Sequence, residues 1–361
     1  MAGDNSDDST PDTGPRRGRR SATARFALNA VLAMASMFIA LAGLEAALRI
    51  YHGALFDSSS QLDLLPNRAA TPLAEYDREL GWVPRTGVFD RSPTEKWSID
   101  ADGLRANGSP APQGKRPIVA AGDSYTFGDE VLDRETWPAR LQERMHVPVI
   151  NGGVFAYGID QAVLRAERLI DARHPAVVLL AFISDDINRA ELVFYNGWKP
   201  YFEFDGAELT LKNVPVPTDS VPVPRFARLR SALSHSYLFS AVLRRAAQRW
   251  WTWGRAVRAH ADGERVAVEL LDRLRTHARQ NDATLVVIAL PTGGRLGGSG
   301  RSERIVEQAR GRGINVLDLG PIVQEISADT LPLMFRPRGH YAPAMNERIA
   351  VRVAAYLEAL H

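Results

Sequence analysis

Two stretches of this chain hold residues that could do covalent chemistry together: Gly122-Asp123-Ser124-Tyr125-Thr126-Phe127-Gly128, and Gly339-His340-Tyr341-Ala342-Pro343 near the C-terminus. A serine hydroxyl attacks poorly until a base removes its proton, and histidine is the side chain suited to that exchange near neutrality. With Ser124 as nucleophile and His340 as general base, the chemistry would be acyl transfer at an ester. The chain has no cysteine, so thiolate nucleophiles, thiolate metal sites and disulfides are excluded. His52, His146, His174, His235, His260, His277 and His361 have no partner at ligand spacing and read as surface or packing positions. Neither a metal nor another cofactor is expected.

The elements around these stretches must place them. Ile118 to Ala121 reads as a short apolar strand that runs straight into Gly122. Ser124 would then sit at a strand-to-helix junction, where the positive end of the following helix favours an oxyanion. Trp137 to Met145 reads as an amphipathic helix, Val147 to Ile150 as a second strand, and 161 to 172 as a helix. Ala176 to Ile183 is a near-continuous apolar run, as expected of a parallel strand covered on both faces. A helix at about 263 to 280 precedes the strand Thr284 to Leu290. Another near 302 to 311 precedes Ile314 to Leu317, and a helix from Ala344 to Leu360 closes the chain. Such alternation argues an α/β domain with a mostly parallel sheet, whose chemistry lies at the carboxyl ends of the strands.

Each strand end carries a polar block. The second strand is followed by Asn151-Gly152-Gly153-Val154-Phe155-Ala156-Tyr157-Gly158-Ile159-Asp160-Gln161, and the third by Ser184-Asp185-Asp186. With the Ser124 and His340 segments, these four blocks resemble, in order and context, those of the SGNH/GDSL hydrolases. The resemblance covers about 117 to 361. Tyr76-Asp77-Arg78-Glu79-Leu80-Gly81-Trp82 and Asp102-Gly103-Leu104-Arg105 also look like segments that precede the catalytic domain in membrane-anchored relatives. The resemblance implies a three-layer α/β/α, flavodoxin-like fold with Ser124 as nucleophile and His340 as base. It implies an oxyanion hole at Ser124, Ala156 and Asp185, on esterases or O-acyltransferases.

The chain departs from that pattern in three places. Ala156 stands where the family usually has glycine. Asp185 stands where it has an asparagine donor, and an ionised carboxylate donates nothing and repels an oxyanion. Asn188, three residues on, is a conceivable substitute. Finally, the acid that should precede the histidine by two or three residues is replaced by Arg338 and Pro337. Histidine orientation must then come from a backbone carbonyl or another carboxylate, with Asp123, Asp185, Asp186 and Asp318 as the supporting candidates.

The N-terminus sets the expected location. Residues 1 to 20 are polar and read as disordered, and arginines at 16, 17, 19, 20 and 25 precede an apolar run from Phe26 to Leu44. Nineteen residues at helical rise span about 28 Å, close to the hydrocarbon thickness of a bilayer. A cytoplasmic tail at 1–25, an inner-membrane anchor at 26–50 and an extracytoplasmic remainder are the expectation. A cleaved signal peptide ending near Ala40-Leu41-Ala42 is the competing reading. An extension of strands and loops is expected at 51–113 and the catalytic domain at 114–361, with an insertion at about 187–260. Within the insertion a hairpin is expected around Asp205-Gly206. Trp250-Trp251-Thr252-Trp253, flanked by Arg244, Arg245, Arg249 and Arg255, reads either as an interfacial membrane helix or as packing or a lid over the site. Gly293 to Gly300 lacks the Lys-Ser/Thr ending of a phosphate loop and reads as a surface loop. A net charge of +2 with no basic stripe gives no case for nucleic acid. The expected partners are an acyl ester or polysaccharide substrate and the inner membrane.

Overall fold

A computed structural model of the chain describes residues 17–51, 72–195, 197–218, 226–247, 250–251, 257–293 and 300–360. The chain divides into two compact units, one of residues 1–64 and 225–252, the other of residues 65–224 and 253–361.

The larger unit is built on a five-stranded parallel sheet. Its strands are β5 (Ile118–Ala121), β6 (Val149–Asn151), β7 (Val177–Phe182), β12 (Thr284–Ala289) and β13 (Asn315–Asp318), in the spatial order β13-β12-β7-β5-β6. All neighbouring pairs are parallel. Renumbered along the chain, the order is 2-1-3-4-5. The direction of winding therefore reverses between β5 and β7, and open α/β sheets bind ligands outside the carboxyl ends at such a switch point. Ser124 follows β5 and Asp185 follows β7, so the topology delivers the blocks to one crevice.

Both faces of the sheet are covered, which explains why its strands read as unbroken apolar runs. On one side α4 (Ile159–Arg173), α8 (Gly263–Gln280) and α9 (Arg301–Gly311) pack against Val178, Leu180, Leu285 and Val287. On the other, α3 (Trp137–Met145) and α10 (Pro343–Ala359) pack against Ile118, Leu179, Val286 and Ile288. Strand residues alternate between the two cores at a period of two, as a pleated sheet requires.

The extension before the sheet is integral to this unit. It forms two antiparallel hairpins, β1 (Ala74–Asp77) with β2 (Gly81–Pro84) and β3 (Gly87–Ser92) with β4 (Glu95–Ile99). Trp82, Trp97 and Ile99 share a buried cluster with Phe127, Val154, Phe155, Ala156 and Tyr157, so the hairpins lie directly under the first two polar blocks. Arg105 closes the arrangement, its main chain bridging to Asn151, the last residue of β6.

Of the insertion, β8 (Leu192–Phe194) pairs antiparallel with β11 (Val257–Arg258) and brings the chain back to the sheet. The hairpin expected around Asp205-Gly206 is present as β9 (Tyr201–Asp205) and β10 (Glu208–Lys212), with Gly206 at φ 62°. Lys199, fully buried, pairs with the buried Asp160 at the start of α4 and donates to the carbonyls of Arg189 and Leu192.

In the smaller unit, α1 runs from Arg17 to Tyr51, so helix begins inside the segment read as a polar tail. Residues 1–16 lie outside the described ones. Arg25 to Tyr51 is long and apolar enough to cross a membrane. The short helices α6 (Ala227–Leu233) and α7 (Tyr237–Ala246) belong with it.

Candidate active site

The turn that carries Ser124 is shaped by close packing. A Cβ at Gly122 would lie 2.4 Å from Thr126 Oγ1 and 2.6 Å from the Ala181 carbonyl, so only glycine lets β5 turn this tightly beside β7. Asp123 caps α2 (Ser124–Phe127), accepting from the Tyr125 N–H at 2.9 Å. The helix is a single turn, so the macrodipole expected to stabilise an oxyanion is small. Stabilisation must come from individual N–H groups instead.

His340 reaches this turn from the other end of the chain. It follows a tight turn in which Gly339 has φ 103° and the Arg336 N–H donates to the His340 carbonyl at 2.7 Å. Tyr125 OH donates to the Gly339 carbonyl at 3.1 Å, tying the two segments together. His340 Nε2 lies 3.0 Å from Ser124 Oγ. Its Nδ1 lies 2.9 Å from Glu130 Oε2. Proton transfer from serine to imidazole, with a carboxylate fixing the tautomer, requires this geometry.

The carboxylate behind the histidine is therefore Glu130, which the sequence reading missed. None of the four candidates occupies that place. Asp318 caps the turn at Gly320, Asp186 accepts from the Ile183 N–H at 3.0 Å, and Asp185 pairs with Arg189 at 2.8 Å. Asp123 Oδ2 is 3.5 Å from Ser124 Oγ, on the serine side. The missed signal was Arg338: a cation in the acid's usual position needs a carboxylate supplied from elsewhere, and Asp129-Glu130 follows the serine by one helical turn and a glycine.

Glu130 is held on every side. Its backbone adopts φ 68°, a left-handed conformation costly for a non-glycine residue. Its N–H donates to Glu95 Oε1 at 3.3 Å. Its carboxylate accepts from the Arg338 and His340 N–H groups at 3.1 and 3.3 Å, and Arg338 Nε lies 3.3 Å away. Arg338 is itself gripped by Glu95, through contacts of 2.8 and 2.9 Å. Arg105 clamps the same loop from below, donating to the carbonyls of Phe127 and Val131 at 3.0 and 2.8 Å and pairing with Asp133 at 3.1 Å. Glu95 and Arg105 both come from the extension, so the residues ahead of the sheet help to hold the acid in place.

Electrostatics follow from these contacts. Burial raises the Glu130 carboxyl, but its hydrogen bonds from His340 and the Arg338 N–H outweigh that and hold it below the usual range. Burial pulls the His340 imidazole down, yet Asp129 first, and then Glu130 and Asp123, lift it above the ordinary histidine value. Asp129 Oδ2 lies 3.7 Å from His340 Nε2.

The oxyanion side is only partly as expected. Ala156 has φ 62°, the left-handed region that explains why glycine is usual there. The strain is held by its neighbours: Trp82 Nε1 donates to the Phe155 carbonyl at 3.1 Å, and Tyr157 OH to the Trp82 carbonyl at 2.5 Å. The main-chain N–H groups of Ser124 and Ala156 make no hydrogen bond among the described residues, which leaves both available as donors. Asp185 is no donor; it faces the guanidinium of Arg189. Asn188 is turned away, donating toward Asp185 at 3.4 Å and accepting from Arg301 at 2.9 Å.

Arg189 is the second residue missed. It is buried and contacts three carboxylates: Asp186 at 2.8 Å, Asp185 at 2.8 Å and Asp123 at 3.4 Å, with the Tyr157 carbonyl at 2.9 Å. Burial works against its charge, but Asp185, Asp186 and Asp123 together with Tyr195 raise its pKa. Burial pushes Asp186 well above the usual carboxylate range, and the charge of Asp123 adds to it. Arg189 thus neutralises the aspartate that stands in for asparagine. Among the described residues no group of three or more acidic, histidine or cysteine side chains is arranged to hold a metal.

No protein-family model and no curated protein matches the chain. Solved structures do. A putative lipolytic protein of the G-D-S-L family from Desulfitobacterium hafniense is 15% identical over 67% of this chain and 99% of its own, with a TM-score of 0.41. A lipase/acylhydrolase from Enterococcus faecalis is 13% identical over 68% of this chain and 96% of its own, at 0.39. A psychrotrophic esterase from Pseudoalteromonas, inhibited by monoethylphosphonate, is 11% identical over 68% of this chain and 98% of its own, also at 0.39. Likeness at this level adds no weight to the site.

Proposed function

We propose that the protein is a serine esterase or acyl hydrolase of the SGNH type, with Ser124 as nucleophile, His340 as general base and Glu130 as the acid that orients it. The observation that carries this is the hydrogen-bonded chain Ser124–His340–Glu130. Ser124 Oγ forms a bond to the acyl carbon as its proton moves to His340 Nε2, and the carbonyl electrons go to the oxyanion. The N–H groups of Ser124 and Ala156 are the donors for that oxygen. Collapse expels the alcohol, which takes the proton from His340. Water, or a sugar hydroxyl in a transferase, then repeats the cycle on the acyl-enzyme.

The substrate class we favour is an acetyl or other short acyl ester of an envelope or exported polysaccharide. An apolar helix behind an arginine cluster supports an inner-membrane anchor with the catalytic unit outside. A catalytically silent glycan-binding or scaffolding role is favoured by Arg338, for which Glu130 now supplies the carboxylate, and by Asp185, which supplies no donor. Arg189 neutralises that residue, and the Ser–His–Glu chain is intact, so catalysis is the better reading.

Purified full-length protein should hydrolyse p-nitrophenyl acetate, and Ser124→Ala should abolish turnover above background; equal rates for the two proteins would sink the proposal. The pH profile adds a second check. His340 must be neutral to accept the serine proton, and its raised pKa means that it becomes protonated at a higher pH than the ordinary value of 6.5. The acid limb of kcat/KM should therefore lie above that value. Asp129→Asn removes the strongest influence raising the imidazole and should move the limb to lower pH. An unmoved limb would contradict the assignment of His340.

A further inference from the structure

Glu45 is the first charge after the apolar run of α1, and its carboxylate caps α7. It accepts from Ser236 Oγ at 2.8 Å and from the N–H groups of Tyr237 and Leu238 at 3.1 and 2.8 Å. Arg49, one turn on, pairs with Glu45 at 2.7 Å, donates to the His235 carbonyl at 2.6 Å and lies over the Tyr237 ring at 5.2 Å. The first turn of α7 is thereby fixed at the level of Glu45.

That level has a meaning if α1 spans a bilayer. The nineteen residues before Glu45 cover about 28 Å of helix, the thickness of the hydrocarbon core. Glu45 then marks the boundary with the headgroups, and α7 begins there.

The exposed residues of α6 and α7 fit such a layer. Phe226, just before α6, and Leu229 are 61% and 54% exposed, three residues apart. Phe239 and Val242 on α7, also three apart, are 45% and 52% exposed. Arg228 and Arg245, both exposed, stand beside them. Arg230 turns inward instead, donating to the Trp251 carbonyl at 3.0 Å, and so ties α6 to the end of this segment. Large apolar side chains bared in pairs beside arginines on short helices are the pattern of an interfacial helix, apolar side toward the acyl chains and guanidinium groups at lipid phosphates.

We propose that α6 and α7 lie in the headgroup layer of the bilayer that α1 spans, on the face from which the rest of the chain emerges. Phe226, Leu229, Phe239 and Val242 dip toward the acyl chains. This rests on the membrane-anchor reading of α1, and the test separates the two.

The cysteine-free chain allows single cysteines to be labelled without background. Full-length Ile39→Cys, Leu229→Cys, Val242→Cys and Arg310→Cys would each carry an environment-sensitive nitrobenzoxadiazole dye in phosphatidylethanolamine–phosphatidylglycerol vesicles. Lipids with a doxyl quencher near the headgroup, or deep in the acyl chain, are then added. The proposal expects loss of emission at 229 and 242, greater with the shallow quencher, loss at 39 greater with the deep one, and none at 310. Quenching at 39 with solvent-like emission at 229 and 242 would overturn the interfacial placement and leave the anchor standing. Blue-shifted but unquenched emission at 229 and 242 would overturn it in favour of packing or a lid. No quenching at 39 would remove the anchor and the inference with it.

Discussion

Glu130→Gln should lower kcat/KM for ester hydrolysis by about 10²–10⁴-fold, with the thermal midpoint little changed. Disabling the acid of a Ser–His–acid triad costs about 10⁴ because the imidazole is left in the wrong tautomer and its positive charge uncompensated. The lower bound applies here because Asp129 also faces His340, 3.7 Å from Nε2, and retains part of the electrostatic support. Glutamine preserves volume, and its single carbonyl oxygen can keep one of the two N–H bonds, from Arg338 or from His340, that the two carboxylate oxygens now accept. Steady-state kinetics beside a melting curve separates the effects. A rate within threefold of the parent would mean that His340 is oriented by something else. Large losses of both rate and stability would instead make Glu130 a structural residue of its strained loop.

Arg189→Met is expected to damage the fold rather than the chemistry alone. The guanidinium sits among Asp123, Asp185 and Asp186 with almost no solvent contact. Removing one member of a buried ionic cluster typically costs about 3–5 kcal/mol, since the remaining charges are left unpaired. For a unit of this size that is a fall in thermal midpoint of roughly 6–20 °C. Arg189→Lys should recover little, because an ammonium cannot match three carboxylates and the Tyr157 carbonyl with one planar fork. A midpoint unchanged in both variants would show that the cluster contributes nothing net. Recovery of stability by adding Asp185→Asn to Arg189→Met would identify Asp185 as the charge that Arg189 serves.

The sheet and its helices were legible because each obeys one period. The run at Ala176 to Ile183 is apolar throughout since β7 is covered on both faces, and the helix expected at 263 to 280 is found at those bounds. Ser124 stood out because Gly122 to Gly128 continues the apolar strand β5, and His340 because Gly339 to Pro343 opens the last helix. What supports them did not. Glu130 acts across a separation of 210 residues from a loop whose left-handed backbone no propensity announces. Arg189 lies four residues beyond the aspartate it neutralises, and only the fold shows that Asp123 joins the same cluster. The extension reads as a tether of turns and short strands, yet Trp82, Glu95 and Arg105 brace the Ala156 and Glu130 loops. Long-range polar contacts of this kind depend on which surfaces the fold brings together, and no local pattern encodes them. Trp253 and the glycines at 294, 297 and 298 lie outside the described residues, so the expectations placed on them stand as expectations.

Covalent labelling reads the activation of Ser124 without any substrate. Full-length protein treated with a fluorophosphonate probe should gain one adduct, mapped by peptide mass spectrometry to Ser124. His340→Ala should suppress labelling, and Glu130→Gln should slow it. A folded parent protein that takes no label, or one labelled at another serine, would rule out Ser124 as the nucleophile.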